Sequence, residues 1–284
     1  MTEIPRKAQF ESEPASRVAL ERRYRETPGI GDTPWNSTLA SLLDHRSVRA
    51  YLPDPLPSGT LEVLVAAAQS APSSSNVQAW SVITVEDPER RARLAHLAGD
   101  QKHIVQAPLF LVFVADLSRV HRIADRLGET SEGLDYTESF LIASLDAAFA
   151  AQNALAAAES LGLGAVYIGA LRNHAVEVAE ALQLPPRAFA VVGLVIGRPD
   201  PSVATDIKPR LPQEAILHRD VYSTATETEA LARADQHTLA FRQEQKLDAT
   251  PWTRLALGRL HSIASLKGRH VLRTRLEALG LSFK

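Results

Sequence analysis

The sequence predicts an α/β or α+β chain built on one shared sheet, and three features carry that expectation. Apolar runs of strand length alternate with helix-like segments from Val82 to Gly197. One long stretch, Thr137 to Leu161, is rich in Ala and Leu and lacks Gly and Pro. The tail from Pro201 to Lys284 is polar, helical in parts and without an obvious strand, so it reads as an excursion from the same core.

Before residue 34 the chain mixes Arg, Glu, Pro and Gly, which predicts a solvated arm or a disordered tail. A short helix from Ser37 to Asp44 delivers the basic run His45-Arg46-Ser47-Val48-Arg49. SGTLEVLVAAAQSA predicts a helix capped by Ser58 or Thr60, and PSSSNVQAW a loop. Ser81 to Asp87 has strand composition, and Pro88 suits the first turn of the helix that follows. Leu109 to Asp116 is apolar throughout, as a strand buried on both faces should be. The Thr137–Leu161 helix is apolar nearly all round, ends at Gly162, and is expected at the centre or at an interface. AVYIGA is a strand, Asn173 is placed to cap the next helix, and AFAVVGLVIGRP is another buried strand.

Of the 284 residues, 45% are hydrophobic and 23% charged, enough for a sizeable core. The net charge of -2 gives no global reason to bind nucleic acid, so a basic cluster needs a local explanation. There is no cysteine, which excludes disulfides, thiolate metal sites and a Cys nucleophile. The start has no apolar core of signal-peptide type, and a cytoplasmic protein without membrane attachment is expected. The nine His are scattered without ligand spacing, so no metal is expected. Gly164 and Gly169 have phosphate-loop spacing, but Ala170 and Leu171 stand where Lys and Ser/Thr are required. No dinucleotide or serine-hydrolase motif occurs.

Four polar segments remain: the basic run, Ser73-Ser74-Ser75-Asn76-Val77-Gln78, the stretch Gln101-Lys102-His103, and DIKPRLP with Lys208 and Arg210 on either side of Pro209. Each alone is an ordinary surface feature. Together they offer guanidinium forks and an ammonium for a phosphate, hydroxyls for a polyol, and the glycine of YIGA for a flat ring. Phosphate, polyol and ring describe FMN.

With these motifs in this order, the chain resembles the nitroreductase / flavin reductase superfamily, on the branch of the NADPH-dependent oxygen-insensitive major nitroreductases and flavin reductase P. The resemblance runs from about Asp44 to Pro212 and more weakly to the C-terminus. It implies an α+β fold with a mixed central sheet flanked by helices, a C-terminal excursion, and an obligate homodimer with FMN at its interface. It divides the chain into an extension or arm (1–36), an FMN-binding core (37–212) and a helical excursion over the active site or partner subunit (213–284). It places His45, Arg46, Ser47, Lys208 and Arg210 on the FMN phosphate and ribityl chain. Arg49 and Gln101 go to the pyrimidine edge, and Ser73, Ser74, Ser75 and Gln78 to the cofactor and substrate face. Tyr167, Ile168 and Gly169 run along the ring, and Ser75, Arg242 and Arg269 face nicotinamide or substrate. The implied activity is ping-pong hydride transfer through flavin N5, from NADPH or NADH to a nitroaromatic, a quinone or free flavin, with no catalytic side chain required. A specialised biosynthetic dehydrogenase or dehalogenase of the same superfamily, or a flavin storage or sensor protein, are the alternatives. The chain departs from the pattern at Ala170, in its long N-terminus, and around Arg242 to Trp252, where an arginine-rich loop is missing and Arg242 and Lys246 stand instead.

Overall fold

The computed structural model describes residues 13–26 and 34–284. In chain order the elements are α1 (Glu13–Tyr24), α2 (Ser37–Leu43), α3 (Thr60–Gln69), β1 (Trp80–Thr84), α4 (Pro88–Leu97), α5 (Lys102–Gln106), β2 (Leu109–Asp116), α6 (Ser118–Leu127), α7 (Thr137–Ser160), β3 (Gly164–Ile168), α8 (Ala175–Leu182), β4 (Ala188–Gly197), α9 (Glu227–Glu244), α10 (Trp252–Leu260) and α11 (Leu272–Ala278). Local chemistry sets several of the boundaries. The Asn36 side chain accepts the Leu39 N–H to start α2, and Asp87 accepts the Arg90 N–H ahead of Pro88 to start α4. Gly128, at φ 67°, ends α6.

Two local expectations are corrected. Neither Ser58 nor Thr60 caps α3. Gly59 holds that position at φ 82°, and the Thr60 hydroxyl donates to the Pro57 carbonyl instead. Asn173 does not cap α8. His174 precedes it, because the Asn173 side chain is engaged by the tail. The short α5 and the amphipathic α6 were not anticipated, and the expected solvated arm contains α1.

The described residues divide into two compact units, Ser47–Ala204 with Leu266–Lys284, and those up to Arg46 with Thr205–Ser265. The first holds the sheet, in the order β1-β2-β4-β3, and its ladders are all antiparallel. The parallel component of the expected mixed sheet is an isolated bridge between Ser47 and Ala165 beside β3. Along β2 the side chains alternate between two cores. Leu109, Leu111 and Phe113 pack with Leu64 and Ala68 of α3 and with Ala147, Ala151 and Ala154 of α7. Phe110, Val112 and Val114 pack with α4, α8 and Ile104. Helices on both faces explain the unbroken apolar run of β2. Each fully buried Leu or Phe contributes about 1.5–3 kcal/mol. By length and composition alone α7 would suit a membrane span, yet its alanine face lies on the sheet. Opposite, Val191 is the extra residue of a bulge facing Phe113 and Val114, and its carbonyl accepts from Arg172 at 2.6 Å. The tail closes this unit, with Leu276 and Leu281 buried beside Ala143, Ala175 and Phe189.

The second unit is helical. α1 is held to α9 and the 205–212 segment by Arg25, which pairs with Glu244 at 2.8 Å and Asp206 at 3.4 Å and lies over the Phe241 ring. Arg233 of α9 reaches Glu26 and Glu214.

Candidate functional site

Two segments far apart in sequence meet in the helical unit. Arg23, at the end of α1 and only 4% exposed, donates from Nε and Nη2 to the Leu43 carbonyl at 3.2 and 2.7 Å. Nη2 also donates to the His45 carbonyl at 2.6 Å, and Nη1 to the Lys208 carbonyl at 3.0 Å. In return the Arg210 N–H donates to the Arg23 carbonyl at 3.1 Å. The backbone carrying His45 and Arg46 is thereby tied to the backbone carrying Lys208 and Arg210. Arg46 donates from Nη1 to the Asp44 carboxylate at 2.7 Å. Lys208 and Arg210 are exposed. Arg210 lines a cavity of about 580 Å³ together with Tyr24, Leu211, Gln213 and Trp252.

In the sheet unit, Ser47 bridges Ala165, and the Val48 N–H donates to the Ala165 carbonyl at 3.0 Å. The approach needs Gly164, where a Cβ would stand 2.7 Å from the Val48 side chain. Tyr51 locks the same segment by donating its hydroxyl to the Val48 carbonyl at 2.6 Å, and burial pushes that hydroxyl above its ordinary range. Arg49 is exposed, and its charge acts on His103. His103 is held below the ordinary histidine value, first by burial and then by Arg49, and its Nε2 is buried without a partner. Gln101, two residues earlier, is half-buried and donates to the Ala98 carbonyl at 2.7 Å. Arg49 thus acts by its charge on His103, two residues after Gln101.

β3 leads into a 3₁₀ turn, Gly169–His174. Ile168 is fully buried, and Tyr167 points to α7, donating to Gln152 Oε1 at 3.3 Å. The tail reaches this turn. Arg269 donates from Nε to Asn173 Oδ1 at 2.7 Å, and Arg275 donates to the Asn173 carbonyl. Arg242, in the helical unit, donates to the Asp248 carbonyl at 2.6 Å.

The serine loop lies elsewhere. Asp146 of α7, 2% exposed, accepts from Ser73 Oγ at 2.7 Å, the Ser74 N–H at 3.1 Å and the Ala79 N–H at 3.0 Å. Ser73 Oγ in turn accepts the Gln78 N–H at 2.8 Å. Ser75, Asn76 and Gln78 all have positive φ, near 50°, and Ser74, Ser75 and Gln78 are exposed. Three such residues together are backbone strain that the buried carboxylate sustains. The loop enters β1, whereas Ser47 lies beside β3. These are opposite edges of the sheet, four strand spacings or about 19 Å apart. The Ser47–Arg49 group and the Ser73–Gln78 group are thus not brought together within one chain.

Sequence reasoning missed Arg23 and Asp146. The signal was faint: one Arg among several in a polar stretch, and one Asp inside an alanine-rich helix. It also missed Asp116 at the end of β2. Burial would raise that carboxyl, but hydrogen bonds from Ser118 and Ser81 and the charge of Arg119 outweigh it and hold it below its ordinary value.

The residue types suit a flavin mononucleotide: the exposed Lys208 and Arg210 tied to the half-buried His45–Arg46 segment in the helical unit, and exposed hydroxyls on a preformed loop in the sheet unit. The nitroreductase family matches residues 42–198, and the nitroreductase family C-terminal domain matches residues 208–284. The FMN reductase (NADPH) of Bacillus subtilis is 42% identical over 193 residues, 68% of this chain and 77% of that protein. The oxygen-insensitive NADPH nitroreductase of Salmonella typhimurium is 41% identical over 199 residues, covering 70% and 80%. The solved structure of NfrA2 from B. megaterium aligns with a TM-score of 0.82 at 35% identity, over 88% of this chain and all 100% of its own.

Proposed function

The chain belongs to the nitroreductase family, and on that premise we propose how its residues carry the activity of an FMN-dependent NAD(P)H oxidoreductase. The observation that carries the reading is the Arg23-tied meeting of His45–Arg46 with Lys208–Arg210. His45, Arg46, Ser47, Lys208 and Arg210 hold the cofactor phosphate and ribityl chain. Charge-assisted bonds of this kind contribute about 1.5–3 kcal/mol each. Bound FMN supplies the relay that takes a hydride from the nicotinamide and passes it to the acceptor. Arg49 sets a fixed cation at the pyrimidine edge, where negative charge gathers, and Gln101 adds a neutral donor there. Ser73, Ser74, Ser75 and Gln78 line the substrate face, the backbone of Tyr167, Ile168 and Gly169 runs along the ring, and Arg269 meets nicotinamide or acceptor.

We further propose a soluble, cytoplasmic homodimer in which one copy supplies the serine loop to the other's phosphate group. Two features support it. The two residue groups occupy opposite edges of the sheet, and α7 exposes Leu141, Leu145 and Phe149 at 49%, 44% and 44%, spaced one helical turn apart. Acceptors are small molecules: nitroaromatics, quinones or free flavin. With only Arg242 and Lys246 in place of the arginine-rich loop, NADPH is favoured over NADH only modestly.

Purified protein should be yellow, release FMN on denaturation, lose its colour with NADPH and regain it with a quinone. A colourless protein that takes up no FMN would overturn the reading, and sedimentation of a stable, active monomer would overturn the shared site.

A further inference from the structure

We infer that Arg23 is a positioning residue for the cofactor phosphate, supplied by a helix that this chain adds ahead of its family match. The match begins at residue 42, so α1 lies wholly outside it. The inference rests on the reading that His45, Arg46, Lys208 and Arg210 hold the FMN phosphate.

Arg23 is built as a clamp rather than as a surface charge. Its guanidinium is buried, and its donors are spread over the carbonyls of Leu43, His45 and Lys208. The planar fork is what allows one side chain to reach all three. The consequence for an anion follows from peptide geometry. A trans peptide points its C=O and N–H in opposite directions, so a His45 carbonyl held by Arg23 aims the Arg46 N–H away from Arg23. The Lys208 carbonyl, held by the same group, fixes the backbone from which the Lys208 and Arg210 side chains leave. The Arg210 N–H, bonded to the Arg23 carbonyl, completes the tie. One side chain thus helps to set the spacing of two anion-binding segments that lie far apart in sequence. It also adds a positive charge behind them.

A residue acting only through the phosphate segments must affect FMN and spare riboflavin, which has the same ring and polyol but no phosphate. In Arg23→Ala, FMN affinity of the apoprotein should fall roughly ten- to a hundredfold, while riboflavin affinity stays within about threefold. Arg23→Lys keeps the charge but not the fork and should recover part of the loss. Arg25→Ala breaks the ion pairs to Glu244 and Asp206 made just past the end of the same helix, and should lower the melting temperature without changing the FMN-to-riboflavin ratio. Arg210→Ala tests the parent reading and should lower the ratio by itself.

Equal loss of both flavins in Arg23→Ala would overturn the inference, as would no loss of either. So would an Arg25→Ala ratio that falls as far as that of Arg23→Ala, since the effect would then belong to the helix as a whole. If Arg210→Ala leaves the ratio intact, the phosphate reading itself fails and the inference with it. A ratio lowered by Arg210→Ala but not by Arg23→Ala overturns the inference alone. Should Arg23→Ala not fold, Arg23→Lys decides: a lowered ratio supports the role and an unchanged one overturns it.

Discussion

The Ser73–Ala79 loop and the paired His45 and Lys208 segments are both irregular backbone pinned by one buried charge, but the charges have opposite sign. Asp146 can only accept, so it collects N–H and O–H groups from the loop. Arg23 can only donate, so it collects carbonyls. The sign of the buried group decides what each segment has left to offer. A loop pinned by a carboxylate spends donors inward. A segment pinned by a guanidinium turns carbonyls inward, and at the His45–Arg46 peptide this aims the amide N–H the other way, which suits an anion. In both places a buried charged side chain is bonded to irregular backbone.

The largest expected effect breaks the acidic half of that comparison. Asp146→Ala leaves Ser73 Oγ and the Ser74 and Ala79 N–H groups without their acceptor, the last of them buried, and should cost about 2–4 kcal/mol. Urea unfolding measures it, and a loss below about 1 kcal/mol would show that the loop finds other acceptors.

The next expectation sharpens the comparison by separating what the two segments present. Arg210→Ala should weaken FMN binding about ten- to a hundredfold, whereas Ser74→Ala, a neutral donor on the loop, should weaken it less than about threefold. Equal effects in fluorescence titrations would place the two segments on the same footing. A smaller effect is expected for the tail. Arg269→Ala should lower kcat/KM about tenfold at equal FMN loading and leave FMN affinity alone. Wild-type kinetics with both nicotinamides would confine Arg269 to its bond with Asn173.

The smallest concerns His103, which differs from Arg23 and Asp146 in having a buried atom, Nε2, without a partner. Burial and Arg49 both disfavour its protonated form, so its folded pKa lies below the ordinary 6.5. Between the two values the unfolded chain binds more protons. Stability from this group is therefore full above pH 6.5 and is lost as the pH falls toward the folded pKa. The drop in melting temperature between about pH 7.5 and 5.5 should shrink in His103→Gln. Parallel curves for the two proteins would remove His103 from the titration.

Legibility followed a physical line. Strand β2 and helix α7 were plain because burial on both faces, or nearly all round, leaves an unbroken apolar record. The basic run, the serines and the Lys208–Arg210 pair were read together because a phosphate, a polyol and a flat ring call for those residue types. α1 was not. Its arginines resemble a solvated stretch until Glu244, Asp206 and the Lys208 carbonyl, all far along the chain, are brought to them. Asn173 looked like a helix cap because a local pattern predicts it, but the tail competes for its side chain and wins.

The sequence by itself determined the alternation of strands and helices, the apolar centre, and the residue types that a phosphate, a polyol and a flat ring require. Those follow from composition and spacing along the chain. Only the tertiary structure decided that the serine loop and the Ser47–Arg49 segment stand on opposite edges of one sheet, and which charges are buried as anchors. Local sequence shows neither. Strand order depends on how connections cross, and the worth of a charge depends on whether water or a carbonyl faces it.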